Sequence, residues 1–143
     1  AVEAITSNAG WDTLKNRDFL KEVISTFRSH GIRTSIFVDA NIEMVQGAAL
    51  TGTDRIELYT ESYAHEYAQG NKKGILVFTE AAKAAHELGL GINAGHDLSL
   101  DNIKYFKENV PNLLEVSIGH ALICESLYLG LENVINMYLN KLK

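Results

Sequence analysis

Cysteine, proline and positive charge are all scarce in this chain of 143 residues, and each scarcity removes a class of protein. A single cysteine, Cys124, rules out an internal disulfide and gives no metal-ligand spacing, which suits a reducing cytoplasm. A single proline, Pro111, leaves long stretches free to form regular structure. The formal net charge of −5 offers no basic stripe with interleaved aromatics, so a nucleic-acid surface is not expected. No apolar run approaches the ~20 residues of a membrane span, and no signal-peptide pattern opens the sequence. The expectation is a cytoplasmic protein without membrane contact. Phosphorylated small molecules stay open as ligands, because backbone dipoles bind phosphate without net positive charge.

What is present is an alternation of helical and strand periods. Phe19, Leu20, Val23, Ile24 and Phe27 recur at helical spacing, and Gly31 stops that helix before the β-rich run Thr34–Asp39. A second helix is expected over Ile42–Leu50, a turn at Thr51–Thr53 and a second strand over Arg55–Thr60. The stretch Glu61–Gly74 reads as an extended loop, with Tyr63, His65 and Tyr67 in it as a lid or an oligomer contact. Ile75, Phe78, Ala82, Ala85 and Leu88 mark a third helix, and Gly89–His96 a third strand. Ser99 is placed to cap the next helix, with Ile103 and Phe106 inward, and Pro111 precedes a fourth strand over Leu114–Ile118. The segment Ala121–Leu142 is helical, divided at Gly130.

Strands joined by helices of this length imply parallel βα units. No GxGxxG fingerprint follows a first strand, so a barrel is favoured over a dinucleotide-binding sheet. Four strands alone would leave two open edges and an apolar barrel face, and a monomer would tend to associate.

Two strands end alike: Gly91-Ile92-Asn93-Ala94-Gly95-His96 and Glu115-Val116-Ser117-Ile118-Gly119-His120 each stop at Gly-His. Such ends set backbone N–H groups and an imidazole on one rim, where ligands bind. An imidazole side chain suits proton donation, so His96 is the candidate acid; a helix cap or carbonyl contact is the plainer alternative. Gly119-His120 runs at once into an apolar helix, a common phosphate site in barrels, or merely a tight turn needing glycine. Glu57 alternates with Ile56 and Leu58, so it points into the barrel while they face the helices. A buried carboxylate there is either hydrogen-bonded or proton-shifted, as acid–base work or an ion pair would require. Asp39 has a similar place, with capping of the following helix as its plainer role, and Asn93 either orients a ligand or ties strand ends. His30 and His86 fall at helix C-terminal ends as structural residues, and Cys124 on an apolar face as a core residue.

Taken in order and spacing, Ile5-Thr6-Ser7-Asn8-Ala9-Gly10-Trp11-Asp12, Ser35–Asp39, Ile56–Thr60, Asn93-Ala94-Gly95-His96 and Ile118–Ile123 closely resemble the C-terminal half of the pyridoxine 5′-phosphate synthase family. The resemblance covers essentially the whole chain. It implies a TIM (β/α)8 barrel of which this chain supplies about the last four βα units, as the C-terminal half of one domain over residues 1–143. It implies condensation of 1-deoxy-D-xylulose 5-phosphate with 3-amino-2-oxopropyl phosphate to pyridoxine 5′-phosphate, phosphate and water, with no metal and no organic cofactor. His96 matches the family's proton donor, and Gly119 with His120 matches its site for the amino-ketone phosphate. Thr6 matches the contact to deoxyxylulose phosphate, although a helix-capping Ser/Thr turn fits it nearly as well, and Asn8-Ala9 stand where the family has Glu-Gly.

Asp97 stands where the family has a substrate-contacting glycine; its N–H keeps that contact while its carboxylate opposes a phosphate. The family's Asn-x-Asp-His motif, a second histidine and a catalytic glutamate, all on its first three strands, have no counterpart in this chain. By resemblance the assembly is a homo-oligomer, usually an octamer, whose partners are phosphorylated substrates. Two other readings stay open. One is a different phosphate-binding TIM-barrel lyase or isomerase, weakened because no lysine sits on a strand to form a Schiff base. The other is a half-barrel fragment that binds a phosphorylated metabolite without turnover.

Overall fold

The alternation of apolar and polar residues on the short strands, set between helical stripes, folds into one parallel sheet covered on one side. The computed structural model describes residues 7–143. Strands β1 (Ser35–Val38), β2 (Arg55–Tyr59), β3 (Gly91–Gly95) and β4 (Leu113–Ser117) lie in the order β1-β2-β3-β4, every pair parallel. Helix α1 (Arg17–Ser29) precedes β1, and α2 (Ile42–Thr51) joins β1 to β2. Helices α3 (Glu61–Ala68) and α4 (Ile75–Glu87) join β2 to β3, α5 (Ile103–Asn109) joins β3 to β4, and α6 (His120–Leu129) and α7 (Leu131–Lys141) follow β4. Strand order equals chain order, with no reversal where a doubly wound sheet would switch direction. An α/β sheet of successive βα units is compatible with part of a TIM barrel.

The core fills the space between the sheet and its helical layer. Ile36, Val38, Ile56, Leu58, Ile92, Ala94 and Leu113 from the strands pack with Leu20, Ile24, Val45, Ala48, Phe78, Ala81, Ala82, Ala85 and Phe106 from the helices. A smaller cluster of Leu100, Ile103, Val134 and Tyr138 lies under α6 and α7, with Val116, Ile118 and Leu122 against it. As expected, Ile56 and Leu58 face the helices and Glu57 faces the opposite side. The α1 stripe is only partly used: Leu20 and Ile24 are buried, while Phe19 is exposed and packs on Trp11 with ring centroids 6.0 Å apart.

Several expectations are corrected. The stretch after β2 is not an extended loop: α3 fills Glu61–Ala68, Tyr63 is its buried anchor, and His65 sits on its exposed side 2.9 Å from Gln69 Nε2. Asp39 does not cap α2. Asn41 does, accepting from the Glu43 N–H at 2.8 Å and the Met44 N–H at 3.3 Å, while Asp39 Oδ1 accepts from the Gly10 N–H at 3.1 Å. Ser99 lies in a turn before α5, whose first residue is Ile103. The face of the sheet away from the helices is not apolar, for it carries Phe37, Arg55, Glu57, Tyr59, Asn93, Glu115 and Ser117 at registered positions. Cys124 is exposed on α6, because that helix buries none of its residues.

Candidate functional site

The C-terminal ends of the strands meet at one rim, and β3 delivers His96 to it. The chain leaves β3 through two residues in the left-handed region, His96 at φ 68° and Asp97 at φ 50°. That backbone suits glycine best, which accounts for the glycine that the resemblance puts at position 97. The turn is held from below. The buried Thr60 hydroxyl, at the end of β2, meets the carbonyls of both Gly95 and His96. Asn102, also buried, donates from Nδ2 to the Asp97 carbonyl at 3.0 Å and accepts the Ser99 N–H on Oδ1 at 2.9 Å. The Tyr63 hydroxyl in turn donates to the Asn102 carbonyl at 2.7 Å. The imidazole of His96 stands between Phe37, 4.8 Å between ring centroids, and Tyr59, 5.1 Å and edge-on. Two aromatic walls flank the ring, and His96 lines the cleft beside them.

Glu57 lies beneath this turn on the inner face of β2, in register with Phe37 and Asn93. A Cβ at Gly95 would come within 2.5 Å of Glu57 Oε1, so the missing side chain is what gives the carboxylate its place. Burial raises the Glu57 pKa; nearby His96 pulls it down and Glu115 pushes it up. One strand-residue pair lower, Arg55 Nη1 donates to Asn93 Oδ1 at 3.0 Å and to Glu115 Oε2 at 2.9 Å, and Arg33 Nη2 reaches the same oxygen at 3.3 Å. Asn93 therefore ties strands together. Arg55 and Arg33 neutralise Glu115, and Glu57 has no such cationic partner among the described side chains. A carboxylate so placed, with its pKa raised by burial, is a candidate for proton exchange.

Across the rim, β4 runs through Ile118 and Gly119 into α6. Gly119 is the N-cap, at φ −106°, and no side chain among the described residues caps the helix. The first intrahelical bond is donated by Ile123 to the Gly119 carbonyl at 3.2 Å, so the N–H groups of His120, Ala121 and Leu122 have no partner in the helix. A Cβ at Gly119 would meet nothing within 4 Å, so packing does not demand glycine here. His120 Nε2 lies 3.5 Å from Cys124 Sγ, one helical turn on.

These parts enclose one open cleft of about 900 Å³. His96, Asp97, Glu57, Gly119 and His120 all line it, so five of the six residues singled out from the sequence come together. The sixth, Thr6, lies outside the described residues, although its neighbour Ser7 reaches the cleft. The wall also carries Glu61 and Tyr59, whose hydroxyl pKa is raised by burial and by the charges of Glu61, Asp97 and Asp39. Three carboxylates make most of the cleft unfavourable to an anion, and the free N–H groups of α6 are its favourable end. His30 and His86 stand at helix ends as expected, His30 Nδ1 lying 2.8 Å from the Thr26 carbonyl.

Sequence reasoning missed Tyr59, Phe37, Thr60 and Asn102. Tyr59 was within reach: it is two residues from Glu57 and so shares its face. Phe37 follows from strand register, and the Thr60 and Asn102 contacts depend on loop geometry that periodicity does not carry.

The whole chain, residues 1–143, matches the family described as pyridoxal phosphate biosynthesis protein PdxJ. It is 70% identical over its full length to a pyridoxine 5′-phosphate synthase of Flavobacterium johnsoniae, 66% to one of Christiangramia forsetii and 59% to one of Cytophaga hutchinsonii. In each case it spans 60% of the length of the relative. Among the described residues, no helix is long and apolar enough to cross a membrane. With Gly-His at two strand ends, a shared cleft between them and a match along every residue, this chain belongs to the PdxJ family of pyridoxal phosphate biosynthesis proteins.

Proposed function

We propose that the full-length protein is a cytoplasmic pyridoxine 5′-phosphate synthase. It condenses 1-deoxy-D-xylulose 5-phosphate with 3-amino-2-oxopropyl phosphate and releases phosphate and water, without metal or organic cofactor. The observation that carries the reading is the single cleft in which His96, Glu57 and the uncapped start of α6 face one another. In this reading the four βα units are the C-terminal half of a TIM barrel, and the cleft is its catalytic mouth. Gly119 and His120 cradle the phosphate of the amino-ketone through backbone N–H groups. Thr6 contacts the other phosphate. The Asp97 N–H supplies a further contact, while its carboxylate, which lines the cleft, opposes the phosphate.

His96 protonates the oxygen that leaves during ring closure, its ring set between Phe37 and Tyr59. Glu57 holds a proton more tightly than an exposed glutamate and passes it within the cleft as imines form and break. The substrates are phosphorylated small molecules, and the assembly is a homo-oligomer, the octamer. The test is incubation of purified full-length protein with both substrates, following pyridoxine 5′-phosphate and inorganic phosphate together. Formation of both in equal amounts is expected. Binding of a phosphate ester without either product would instead favour a binding protein.

A further inference from the structure

Helix α6 carries the candidate anion cradle, yet it buries no residue of its own, so little apolar packing fixes it. Its attachments are α7, the flank of the small cluster through Leu122, and one polar tie. In that tie Glu125 Oε1, on α6, accepts the Leu100 N–H at 3.4 Å from the loop between β3 and α5. Among the described residues, the second oxygen, Oε2, is buried without a partner, and so is the hydroxyl of Tyr138 on α7. Tyr138 is only 4% exposed. Tyr138 packs in one cluster with Leu100, whose N–H Glu125 accepts, so the two orphans meet at the same place. Burial, and next the Glu125 carboxylate, raise the pKa of the Tyr138 hydroxyl, which keeps its proton and remains a donor. A small turn of that hydroxyl toward Glu125 satisfies both groups, and buried polar groups that stay unpaired are costly.

We propose that Glu125 and Tyr138 are positioning residues that lock α6 and α7 onto the loop following His96 and Asp97, and so hold the anion cradle at a fixed distance from the acid. The tie spans the two halves of the cleft: Leu100 lies four residues after His96, and Glu125 one turn and a half after Gly119. The three groups act as a unit, with one acceptor carboxylate, one backbone N–H and one hydroxyl donor. Neither side chain lines the cleft, so both act through the cradle and not on the substrate. This inference rests on the reading of Gly119 and His120 as a phosphate cradle.

The experiment measures binding of inorganic phosphate to the full-length protein by calorimetry, with thermal unfolding recorded on the same samples. Glu125→Leu removes the acceptor and is expected to weaken phosphate binding about fivefold or more. Glu125→Gln keeps an acceptor oxygen for the Leu100 N–H and offers its NH2 to the Tyr138 oxygen, which can accept as well as donate, and is expected to stay within about twofold of the parent. That rescue separates positioning from a generic loss of fold, which would track the unfolding temperature instead. Should Glu125→Leu fail to fold, Tyr138→Phe takes its place, with a weakening of about twofold to fivefold expected. Unchanged affinity in a folded Glu125→Leu or Tyr138→Phe protein overturns the inference, as does equal weakening by Gln and Leu at position 125. Absence of phosphate binding by the unsubstituted protein overturns the cradle reading itself, and the inference falls with it.

Discussion

Thr60 has one hydroxyl proton and two carbonyls to serve, those of Gly95 and His96, and it is fully buried. Thr60→Val keeps the shape and removes the donor, leaving carbonyls beneath the His96 turn without it. A loss of about 1–3 kcal/mol is expected from that desolvated acceptor, read by urea unfolding, together with a larger fall in kcat than rise in KM. Glu57 gives a second prediction at this scale. Its folded pKa is raised above the ordinary 4.5, so the proton it binds stabilises the fold below that pH, and the contribution is lost as pH rises through the folded value. Glu57→Gln is therefore expected to gain stability relative to the parent across that rise, with the two converging in acid. Thermal unfolding against pH checks this, and a constant offset would contradict it. Residue placements were legible where one strand's alternation set them: Glu57 against Ile56 and Leu58 is such a case. They were illegible where two distant segments had to meet, as Thr60 and His96 do.

Among the elements, β1 and β2 are joined at their N-terminal ends by Asp54, which accepts the Thr34 N–H at 2.8 Å and its hydroxyl at 3.1 Å. The Thr34 backbone N–H is the main reason the Asp54 pKa lies below its ordinary value. A lowered carboxylate stabilises the fold at neutral pH and loses that contribution as pH falls through the folded pKa, below 3.8. Asp54→Asn is expected to be less stable than the parent at pH 7 and to match it in strong acid, as unfolding curves at the two pH values will measure. Most elements were readable from their periods, down to the break at Gly130 between α6 and α7. Helix α3 escaped because it is two turns long and buries only Tyr63, so its apolar stripe is a single residue wide. The cap of α2 escaped because Asp39 and Asn41 are both good capping types, and only backbone geometry separates them: Asn41 sits directly before the first helical residue.

For the molecule as a whole, strand order and one-sided helical cover were foreseen from the alternation of βα units, and a polar inner face was not. An apolar interior is the usual barrel filling, but here the inner face includes an Arg55–Glu115–Arg33 network and the floor of the cleft. The most exposed apolar side chains lie instead on α6, where Leu127 is 79% exposed and Tyr128 88%. With those side chains bare and, among the described residues, β1 and β4 each paired on one side only, the 143-residue chain on its own is expected to self-associate. Sedimentation at rising concentration checks this: a growing mean mass agrees, and a constant 15.8 kDa disagrees. The central claim is that the rim of this sheet is a catalytic mouth with His96 as its acid. Its most direct test is phosphate release from the two substrates by full-length protein, comparing the parent with His96→Asn under saturation. A fall in kcat of about 10²-fold or more is predicted for loss of a general acid; equal turnover by the two proteins would contradict the account.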